Sequence, residues 1–339
     1  MGKSYKVAVV GATGVVGQET LKVLEKREFP LKEIHLFASP KSAGKSILFK
    51  GENIPLQMLS SSSFKEIDLA FFCAGSNISR KFIPLAIEKD VTVIDKSSAY
   101  RLDSKIPLII PEVNADALGS DHKLIASPNC VVIILLTAIG SLRNLSDIER
   151  LIVSTYQSAS GGGAALMEEL LQQTKAVLAG KEPECHLLPY PYAFNLFSHN
   201  TPIHKNGCND EESKIIEETR KIFSLPELKM NVTCVRVPIL RCHSISITIE
   251  FKGSCPSIEN IRKTLSKAPG ICLIDDAASN RFPMPSDATG QDNVLVGRIR
   301  KDYSHPNAIS LFICGDQLLK GAALNGVQIA EYLVQKGYL

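Results

Sequence analysis

The chain has 339 residues, of which 45% are apolar and 22% are charged, and its formal net charge is +3. These values are ordinary for a folded protein, and so small a charge excludes strong electrostatic attraction to nucleic acid or a membrane. Nine cysteines without a CxxC pair favour reduced thiols in a cytoplasmic protein over a disulfide framework or a metal site. The first residues show no signal-peptide pattern, which agrees with a cytoplasmic location.

The chain begins with the pattern of a dinucleotide-binding unit. Residues 6–10 are a near-continuous apolar run, as expected for a buried parallel strand. A GxxGxxG turn with Gly11, Gly14 and Gly17 follows at once. In such turns the first glycine permits the tight bend, the second lets backbone approach a pyrophosphate, and the third lets the helix pack on the strand. A helix predicted over residues 18–27 completes the unit.

The second predicted strand, over residues 33–39, indicates which cofactor binds. An NAD-specific domain often ends this strand with an acidic residue that binds the ribose 2′-hydroxyl group. No acidic residue stands there, and the loop that follows contains Lys41 and Ser42, which can hold a 2′-phosphate. The sequence therefore favours NADP over NAD. Further buried strands are predicted over residues 67–75, 91–95 and 123–126.

A candidate nucleophile follows the last of these strands. Pro128 stops regular structure, and the apolar run 131–139 after Cys130 predicts a buried helix too short to cross a membrane. Cys130 then lies at or near a helix N-terminus, where the helix dipole and the N–H groups favour the reactive thiolate. The alternative is a buried cysteine that acts as a small apolar side chain.

The pattern changes beyond this helix. A strand over residues 151–156 leads to a flexible turn, and good helix formers predict a helix over residues 164–178. Residues 232–238 and 244–251 alternate with period two, which predicts antiparallel strands with one covered face. A homodimer partner is a plausible cover for that sheet.

These elements predict an α/β protein. An N-terminal Rossmann-type doubly wound parallel sheet would be joined to an α+β catalytic and dimerisation domain with a mostly antiparallel sheet. We expect a dinucleotide-binding domain over residues 1–130, the catalytic and dimerisation domain over 131–320, and a C-terminal helix over 321–339 that packs back on the first domain.

Several motifs together resemble one family, the aspartate-semialdehyde dehydrogenases. The motifs lie at residues 11–17, 97–101, 127–130, 156–157, 160–161, 211–214, 236–238 followed by His243, 296–300 and 320–325. Their order and spacing extend from residue 6 to about residue 330, nearly the whole chain. Three positions depart from the family pattern, namely Lys96, Val131 and Gln317.

The resemblance implies that NADPH reduces aspartyl 4-phosphate to aspartate semialdehyde and phosphate through a cysteine thioester, in lysine (diaminopimelate), threonine and methionine biosynthesis. Cys130 would be the nucleophile, and Asn129 a donor to the oxyanion. His243 would be the general acid/base, with a pKa near ~6.5, and Gln157 would orient the acyl group.

The resemblance also assigns the binding residues. Arg236 suits the substrate carboxylate, Glu211 the ammonium group, and Arg101 and Lys214 the phosphate. For NADP, the cofactor neighbours are Gly11, Thr13, Gly14, Val15, Val16, Gly17, Lys41, Ser42, Ser160, Gly161 and Gln317. No metal is implied, and the expected assembly is a homodimer or a tetramer.

Three alternatives remain at this point. N-acetyl-glutamyl-phosphate reductase performs the same chemistry on a longer acylated substrate, which has no free ammonium group for Glu211. Glyceraldehyde-phosphate dehydrogenase also uses a catalytic cysteine and histidine, but the turn that carries its nucleophile differs from Pro128-Asn129-Cys130. A non-catalytic NADP-binding regulator would keep the fold, and its Cys130 would be no more reactive than the other thiols.

Overall fold

The computed structural model describes residues 3–339. The contacts among these residues separate the chain into two compact units. The first unit comprises the described residues up to Asn129 together with Ala322–Leu339, and the second comprises Cys130–Gly321. Each unit is built on one seven-stranded sheet.

The first unit is an α/β fold. Its strands are β1 (Tyr5–Val10), β2 (Leu31–Ala38), β3 (Ser46–Phe49), β4 (Glu52–Met58), β5 (Leu69–Phe72), β6 (Thr92–Asp95) and β7 (Leu124–Ala126). Its helices are α1 (Val15–Lys26), α2 (Ser76–Ile87), the short α3 (Pro111–Asn114) and α9 (Asn325–Lys336) near the end of the chain.

The order of strands in this sheet is β3-β4-β2-β1-β5-β6-β7, and every neighbouring pair is parallel except β3 with β4. The chain moves outwards from β1 in one direction through β2 and in the other through β5. The carboxyl ends of β1 and β5 therefore border the point where the strand order reverses, which is where such sheets bind ligands.

The hairpin of β3 and β4 was not predicted from the sequence. It turns through Lys50 and Gly51, whose φ angles are 49° and 82°. A two-residue turn with two positive φ angles matches the right-handed twist of the flanking strands. The strands themselves are short and mostly exposed, so the apolar pattern that marks the buried strands is weak here.

The second unit contains the other seven strands. They are β8 (Ile148–Gln157), β9 (Phe197–Ser198), β10 (Lys229–Arg236), β11 (His243–Phe251), β12 (Ile271–Leu273), β13 (Val294–Lys301) and β14 (Ala308–Gly315). Its helices are α4 (Cys130–Ile139), α5 (Ala164–Leu178), α6 (Asp210–Phe223), α7 (Ile258–Leu265) and α8 (Pro285–Ala288), and a π-helix covers Leu319–Leu324.

The second sheet has the order β12-β13-β14-β11-β8-β10-β9. Four of its neighbouring pairs are antiparallel, and two, β12 with β13 and β8 with β10, are parallel. The predicted fold class is confirmed, with one correction. The segment around residues 232–238 was predicted to be antiparallel, but β10 is parallel to β8 and antiparallel only to β9.

One face of the second sheet is covered and the other is not. Side chains along β8 alternate between buried and exposed positions, so Leu151 and Val153 point into the core. Helix α4 contributes to that core, because every residue from Val131 to Ile139 is buried. Gly315 allows the close approach of this helix, since a Cβ there would lie 2.8 Å from Cγ2 of Ile134.

Candidate active site

The glycine-rich turn forms the mouth of a cleft in the first unit. Gly11 has a φ of 83°, and a Cβ on it would lie 2.7 Å from the carbonyl oxygen of Cys73. A Cβ on Gly17 would lie 2.2 Å from the oxygen of Gly11, so only glycine allows α1 to start this close to β1. The structure thus gives two of the three glycines the steric roles that the fingerprint predicts.

The cleft beside this turn has a volume of about 490 Å³. Its lining consists of Val10, Gly11, Thr13, Gly14, Phe37, Ala38, Ser39, Pro40, Met58, Leu59, Cys73, Ala74, Ile78, Lys81 and Phe82. It contains no acidic residue in this described part of the chain, and Lys81 supplies its positive charge. Lys41 and Ser42 come directly after the lining residues Ser39 and Pro40. An apolar cleft with a glycine turn and Lys81 in its lining is suited to bind a dinucleotide.

Arg101 is buried in the first unit and held by main-chain oxygens. Its Nε donates to the oxygen of Ser127 at 2.9 Å, and its Nη2 donates to the oxygen of Lys96 at 2.9 Å. Ser127 is also fixed from the other side, because Nδ2 of Asn325 donates to its Oγ at 3.1 Å. Arg101 is therefore tied to the turn that contains Asn129, which is buried as well.

The second unit begins at Cys130, which is the first residue of α4. The side chain is partly exposed, unlike the nine helical residues after it. Gly321 in the π-helix lies against it, since a Cβ on Gly321 would be 3.2 Å from Cβ of Cys130. The thiol accordingly lies at the N-terminal end of a core helix, where the predicted dipole effect applies.

Four predicted residues of the second unit lie close together. Nε2 of Gln157, at the end of β8, donates to Oε1 of Glu211 at 3.1 Å. Arg236, at the end of β10, donates from Nη1 to the oxygen of Ser158 at 2.9 Å. His243 begins β11, and Gly161 lies against both basic side chains, because a Cβ on it would be 2.8 Å from Nη1 of Arg236 and 3.2 Å from Nε2 of His243.

The first turn of helix α6, which carries Glu211, is fixed by hydrogen bonds at the helix N-terminus. Asn209 Oδ1 accepts from the N–H of Glu212 at 2.9 Å, and Glu212 Oε2 accepts from the N–H of Asn209 at 2.9 Å. This reciprocal capping fixes the first turn of the helix. Oε1 of Glu212 also accepts from the N–H of Cys234 in β10 at 3.0 Å, so the turn that carries Glu211 and Lys214 is bound to the sheet.

Two buried polar atoms in this group have no hydrogen-bond partner within the described chain, namely Nε of Arg236 and Nε2 of His243. An unpaired polar atom in a protein interior costs about 1–3 kcal/mol, so each such atom needs a reason, and a catalytic or binding role is one. Both side chains belong to the set for which the family resemblance implies roles in catalysis and substrate binding.

The ionisation of His243 differs from the sequence-based expectation. Burial, and then the positive charge of Arg236, lower the pKa of His243 from 6.5 to about 3. The imidazole is therefore neutral at physiological pH, whereas an unperturbed histidine would be partly protonated. Burial also raises the pKa of Cys242 and of Cys314 to about 12, which keeps these two thiols protonated.

The sequence analysis missed His199, which is buried beside β10. Its main-chain N–H donates to the oxygen of Cys234 at 2.8 Å, and its Nδ1 lies 3.3 Å from Oγ1 of Thr201. Burial and the charge of Arg236 lower its pKa to about 4. None of the family motifs includes this position. The only indication in the sequence was that a histidine occurs in the segment that precedes α6, the helix that carries Glu211.

Two residues predicted to bind the cofactor make contacts inside the second unit. Gln317 accepts at Oε1 from the N–H of Cys242 at 2.8 Å, and its Nε2 donates to Oγ of Ser160. Among the described residues there is no cluster of side chains suited to a metal ion, and none of the helices is long and apolar enough to cross a membrane.

Comparisons with known proteins agree with this site. Residues 6–120 match the family model "Semialdehyde dehydrogenase, NAD binding domain", and residues 139–320 match "Semialdehyde dehydrogenase, dimerisation domain". The chain is 49% identical to the aspartate-semialdehyde dehydrogenase of Synechocystis sp., with all of both chains covered, and 42% identical to that of Bacillus subtilis over 98% of each.

A solved structure gives the same result. Aspartate semialdehyde dehydrogenase II of Vibrio cholerae, crystallised as a complex with ASA, is 40% identical and superposes with a TM-score of 0.94 over 98% of this chain and 99% of that one. Sequence identity of this extent over whole chains shows membership of the same family and not only a shared fold. The chain therefore belongs to the aspartate-semialdehyde dehydrogenase family.

Proposed function

We propose that the protein reduces L-aspartyl 4-phosphate to L-aspartate 4-semialdehyde and phosphate with NADPH, through a thioester on Cys130. The observation that carries this proposal is the pair of buried, unpaired atoms, Nε of Arg236 and Nε2 of His243, in the unit that Cys130 begins. The Vibrio cholerae relative was crystallised with ASA, which supports the same substrate here.

Cys130 acts as the nucleophile. Its thiolate attacks the carbonyl carbon of the acyl phosphate, a C–S bond forms, the C–O bond to the phosphoryl group breaks, and phosphate leaves. The helix dipole of α4 favours the thiolate, since Cys130 is its first residue. Asn129 and the N–H groups at the helix start are suited to stabilise the oxyanion that forms on attack.

The substrate is held by its charged groups. Arg236 binds the α-carboxylate, for which the unpaired Nε and the adjacent Nη atoms form a fork. Glu211 binds the ammonium group, and Gln157, which donates to Glu211, orients the acyl group. Arg101 and Lys214 bind the phosphate. Glu211 favours this substrate over an N-acetylated one, because an acetamide carries no charge for the carboxylate to bind.

The cleft of the first unit holds the cofactor. Gly11, Thr13 and Gly14 line it, and Val15, Val16 and Gly17 supply the start of α1 for the pyrophosphate. Lys41 and Ser42, with Lys81, bind the 2′-phosphate of NADP. When bound, the nicotinamide supplies the hydride that reduces the thioester. By the family resemblance we also assign Ser160, Gly161 and Gln317, which belong to the second unit, to cofactor binding.

The chain forms at least a homodimer through the uncovered face of its second sheet. Ile152 and Tyr156 on β8 remain 36% and 39% exposed, and the ring of Tyr156 lies 6.3 Å from that of Phe312 on β14. A sheet face with exposed apolar side chains favours a protein partner, and the matching family model is described as a dimerisation domain. The enzyme acts in the cytoplasm, in the synthesis of lysine, threonine and methionine.

The deciding experiment compares the wild type with Cys130→Ala in the phosphate-dependent reduction of NADP by aspartate semialdehyde. We expect the variant to lose at least about a thousandfold in kcat while it still binds NADPH. N-acetyl-glutamate semialdehyde serves as the competing substrate. Undiminished turnover of Cys130→Ala, or a preference for the acetylated aldehyde, would refute the proposal. A regulator without catalysis would give no turnover with either aldehyde in the wild type.

A further inference from the structure

Three buried side chains of the second unit form a chain of hydrogen bonds that ends at Glu211. Oγ1 of Thr155 lies 3.2 Å from Oε1 of Gln157, and Nε2 of Gln157 lies 3.1 Å from Oε1 of Glu211. Thr155 and Gln157 stand two residues apart on β8, so their side chains are on the same face of the strand. The side chains are buried, so water does not compete for these contacts.

The donors and acceptors in this chain can be assigned from Glu211. An ionised carboxylate only accepts hydrogen bonds, so the amide nitrogen of Gln157, and not its oxygen, must face Glu211. The amide oxygen then faces Thr155 and can only accept, so the hydroxyl group of Thr155 must donate its single proton to Gln157. The opposite orientation of the amide would place its oxygen against the carboxylate, where two acceptors repel each other.

The surroundings of Thr155 agree with this direction. Cys234 lies opposite Thr155 in the parallel pair of β8 and β10, and its thiol group makes a hydrogen bond with the Thr155 hydroxyl group. Burial raises the pKa of the Cys234 thiol, so this group keeps its proton and can donate it. A hydroxyl oxygen can accept while its own proton is donated elsewhere. Thr155 can therefore accept from Cys234 and donate to Gln157 at the same time.

We propose that Thr155 is a positioning residue that fixes the side-chain amide of Gln157 with its nitrogen towards Glu211, so that Gln157 meets the substrate as a hydrogen-bond donor. The amide nitrogen carries two protons, and the contact with Glu211 uses one of them. The second proton has no partner among the described residues and remains for an oxygen atom of the substrate.

This inference rests on the proposed function, which assigns the substrate ammonium group to Glu211 and the acyl group to Gln157. An amide with its oxygen towards the substrate would be a second acceptor beside Glu211, and both groups would then select for the ammonium group. With its nitrogen towards the substrate, the amide selects for an oxygen atom. Thr155 thereby keeps the two roles apart, since Glu211 binds the cationic group and Gln157 binds an electron-rich oxygen of the same molecule.

The first test determines the orientation of the amide and needs no turnover. Neutron diffraction from crystals of the perdeuterated full-length protein distinguishes nitrogen from oxygen and shows the deuterium atoms. We expect a deuterium atom on Oγ1 of Thr155 directed at Oε1 of Gln157, and two on Nε2 of Gln157, one of them directed at Oε1 of Glu211. A reversed amide, or a Thr155 hydroxyl group directed elsewhere, would overturn the inference and leave the proposed reaction standing.

The second test removes the donor at Thr155. Valine has the shape of threonine without the hydroxyl group, and serine keeps the hydroxyl group without the methyl group. We expect Thr155→Val to lose about tenfold in kcat/KM for aspartate semialdehyde, and Thr155→Ser to stay within about threefold of the wild type. Thr174→Val is the matched control, because it removes a hydroxyl group that bonds only within α5, and it should keep the wild-type kcat/KM. Equal losses in Thr155→Val and Thr155→Ser would show a packing role instead.

The third test determines whether Thr155 acts through Gln157. In Gln157→Met the amide is absent, so Thr155 has nothing to orient. Thr155→Val should therefore lower kcat/KM about tenfold in the wild type but less than about twofold in Gln157→Met. Equal factors in both backgrounds would contradict the positioning role. A wild type that does not turn over aspartate semialdehyde would refute the proposed reaction, and the neutron structure would still decide the orientation of the amide.

Discussion

Oε1 of Glu211 accepts a hydrogen bond from Nε2 of Gln157 at 3.1 Å, and both side chains are buried. The carboxylate and the amide belong to different elements, α6 and β8, so the contact joins the group proposed for the ammonium to the group proposed for the acyl carbon. The first prediction follows from this contact.

Glu211→Gln should raise the KM for aspartate semialdehyde by about 10–100-fold, because the loss of a charge-assisted contact costs about 1.5–3 kcal/mol. The kcat should fall less, since Cys130 and His243 are untouched. Steady-state kinetics with both aldehydes measure this. Glu217→Gln, a substitution farther along α6, is the matched control. A change in kcat alone, with KM preserved, would contradict the assignment to the ammonium group.

The nine free thiols should differ in reactivity, and the order of their reactivity should not follow the order of their exposure to solvent. Cys185 and Cys272 are exposed and Cys130 is only partly so, but Cys130 alone of the three begins a helix. We expect iodoacetamide at about pH 7 to label Cys130 first, as followed by peptide mass spectrometry. The buried Cys234, Cys242 and Cys314 should be last, because burial raises the pKa of each of these thiols, that of Cys242 and of Cys314 to about 12. Labelling in order of exposure would contradict this.

Gly161→Ala should impair catalysis more than stability. The added Cβ would lie 2.8 Å from Nη1 of Arg236, which must shift, and 3.2 Å from the ring of His243, which must yield by a few tenths of an ångström. A displacement of this kind at reacting groups can cost about 10²-fold in rate. Gly207→Ala is the reverse control. A Cβ at Gly207 would meet no other atom, but the φ of 85° is unfavourable for alanine, so this variant should lose about 1 kcal/mol of stability and keep its activity. Activity assays and urea unfolding of both variants test the contrast.

Stability should fall as the pH is lowered below about 6.5, because His199 and His243 have pKa values of about 4 and 3 in the folded protein. Between the folded and the unfolded values the unfolded chain binds more protons, so acid favours unfolding and the contribution is constant above the unfolded pKa. Each group adds up to about 1.4 kcal/mol per pH unit. Urea unfolding of the wild type and His199→Asn at about pH 7 and pH 5 should show a weaker dependence in the variant. Equal dependence would contradict the depressed pKa of His199.

Lys41→Ala and Lys81→Ala should each weaken NADPH binding and leave NADH binding nearly unchanged, since only NADPH carries the 2′-phosphate. Lys81 lines the cleft, and Lys41 follows the lining residue Pro40. A lost charge–phosphate contact corresponds to about a tenfold or greater rise in Kd. Fluorescence titration with both cofactors measures the ratio. Lys65→Ala, in an exposed loop of the same unit, is the control, and a parallel loss for both cofactors would contradict the prediction.

The sequence was sufficient where one local pattern determines the structure. Gly11 and Gly14 lie between β1 and α1, as predicted, although α1 begins at Val15 and includes Gly17, earlier than the predicted start at residue 18. The helix predicted over residues 164–178 has those bounds because good helix formers stand between Gly163 and Gly180. The helix after Cys130 was predicted from apolar residues alone, and Cys130 is its first residue.

The pairing of strands was less predictable. Period-two alternation shows which side chains of β10 are buried but not which strand lies beside it, and the parallel contact with β8 was missed for that reason. The π-helix over Leu319–Leu324 carries no pattern that separates it from the start of α9. The role of Gln317 depends on Cys242 and Ser160, which are distant in the sequence.

Helix α4 buries every residue after Cys130. The sulfur of the proposed nucleophile is therefore attached to the core of the second unit and not to a surface loop that can move separately. On heating, activity should therefore be lost at the same temperature at which the second unit unfolds. A folded but inactive state should not accumulate.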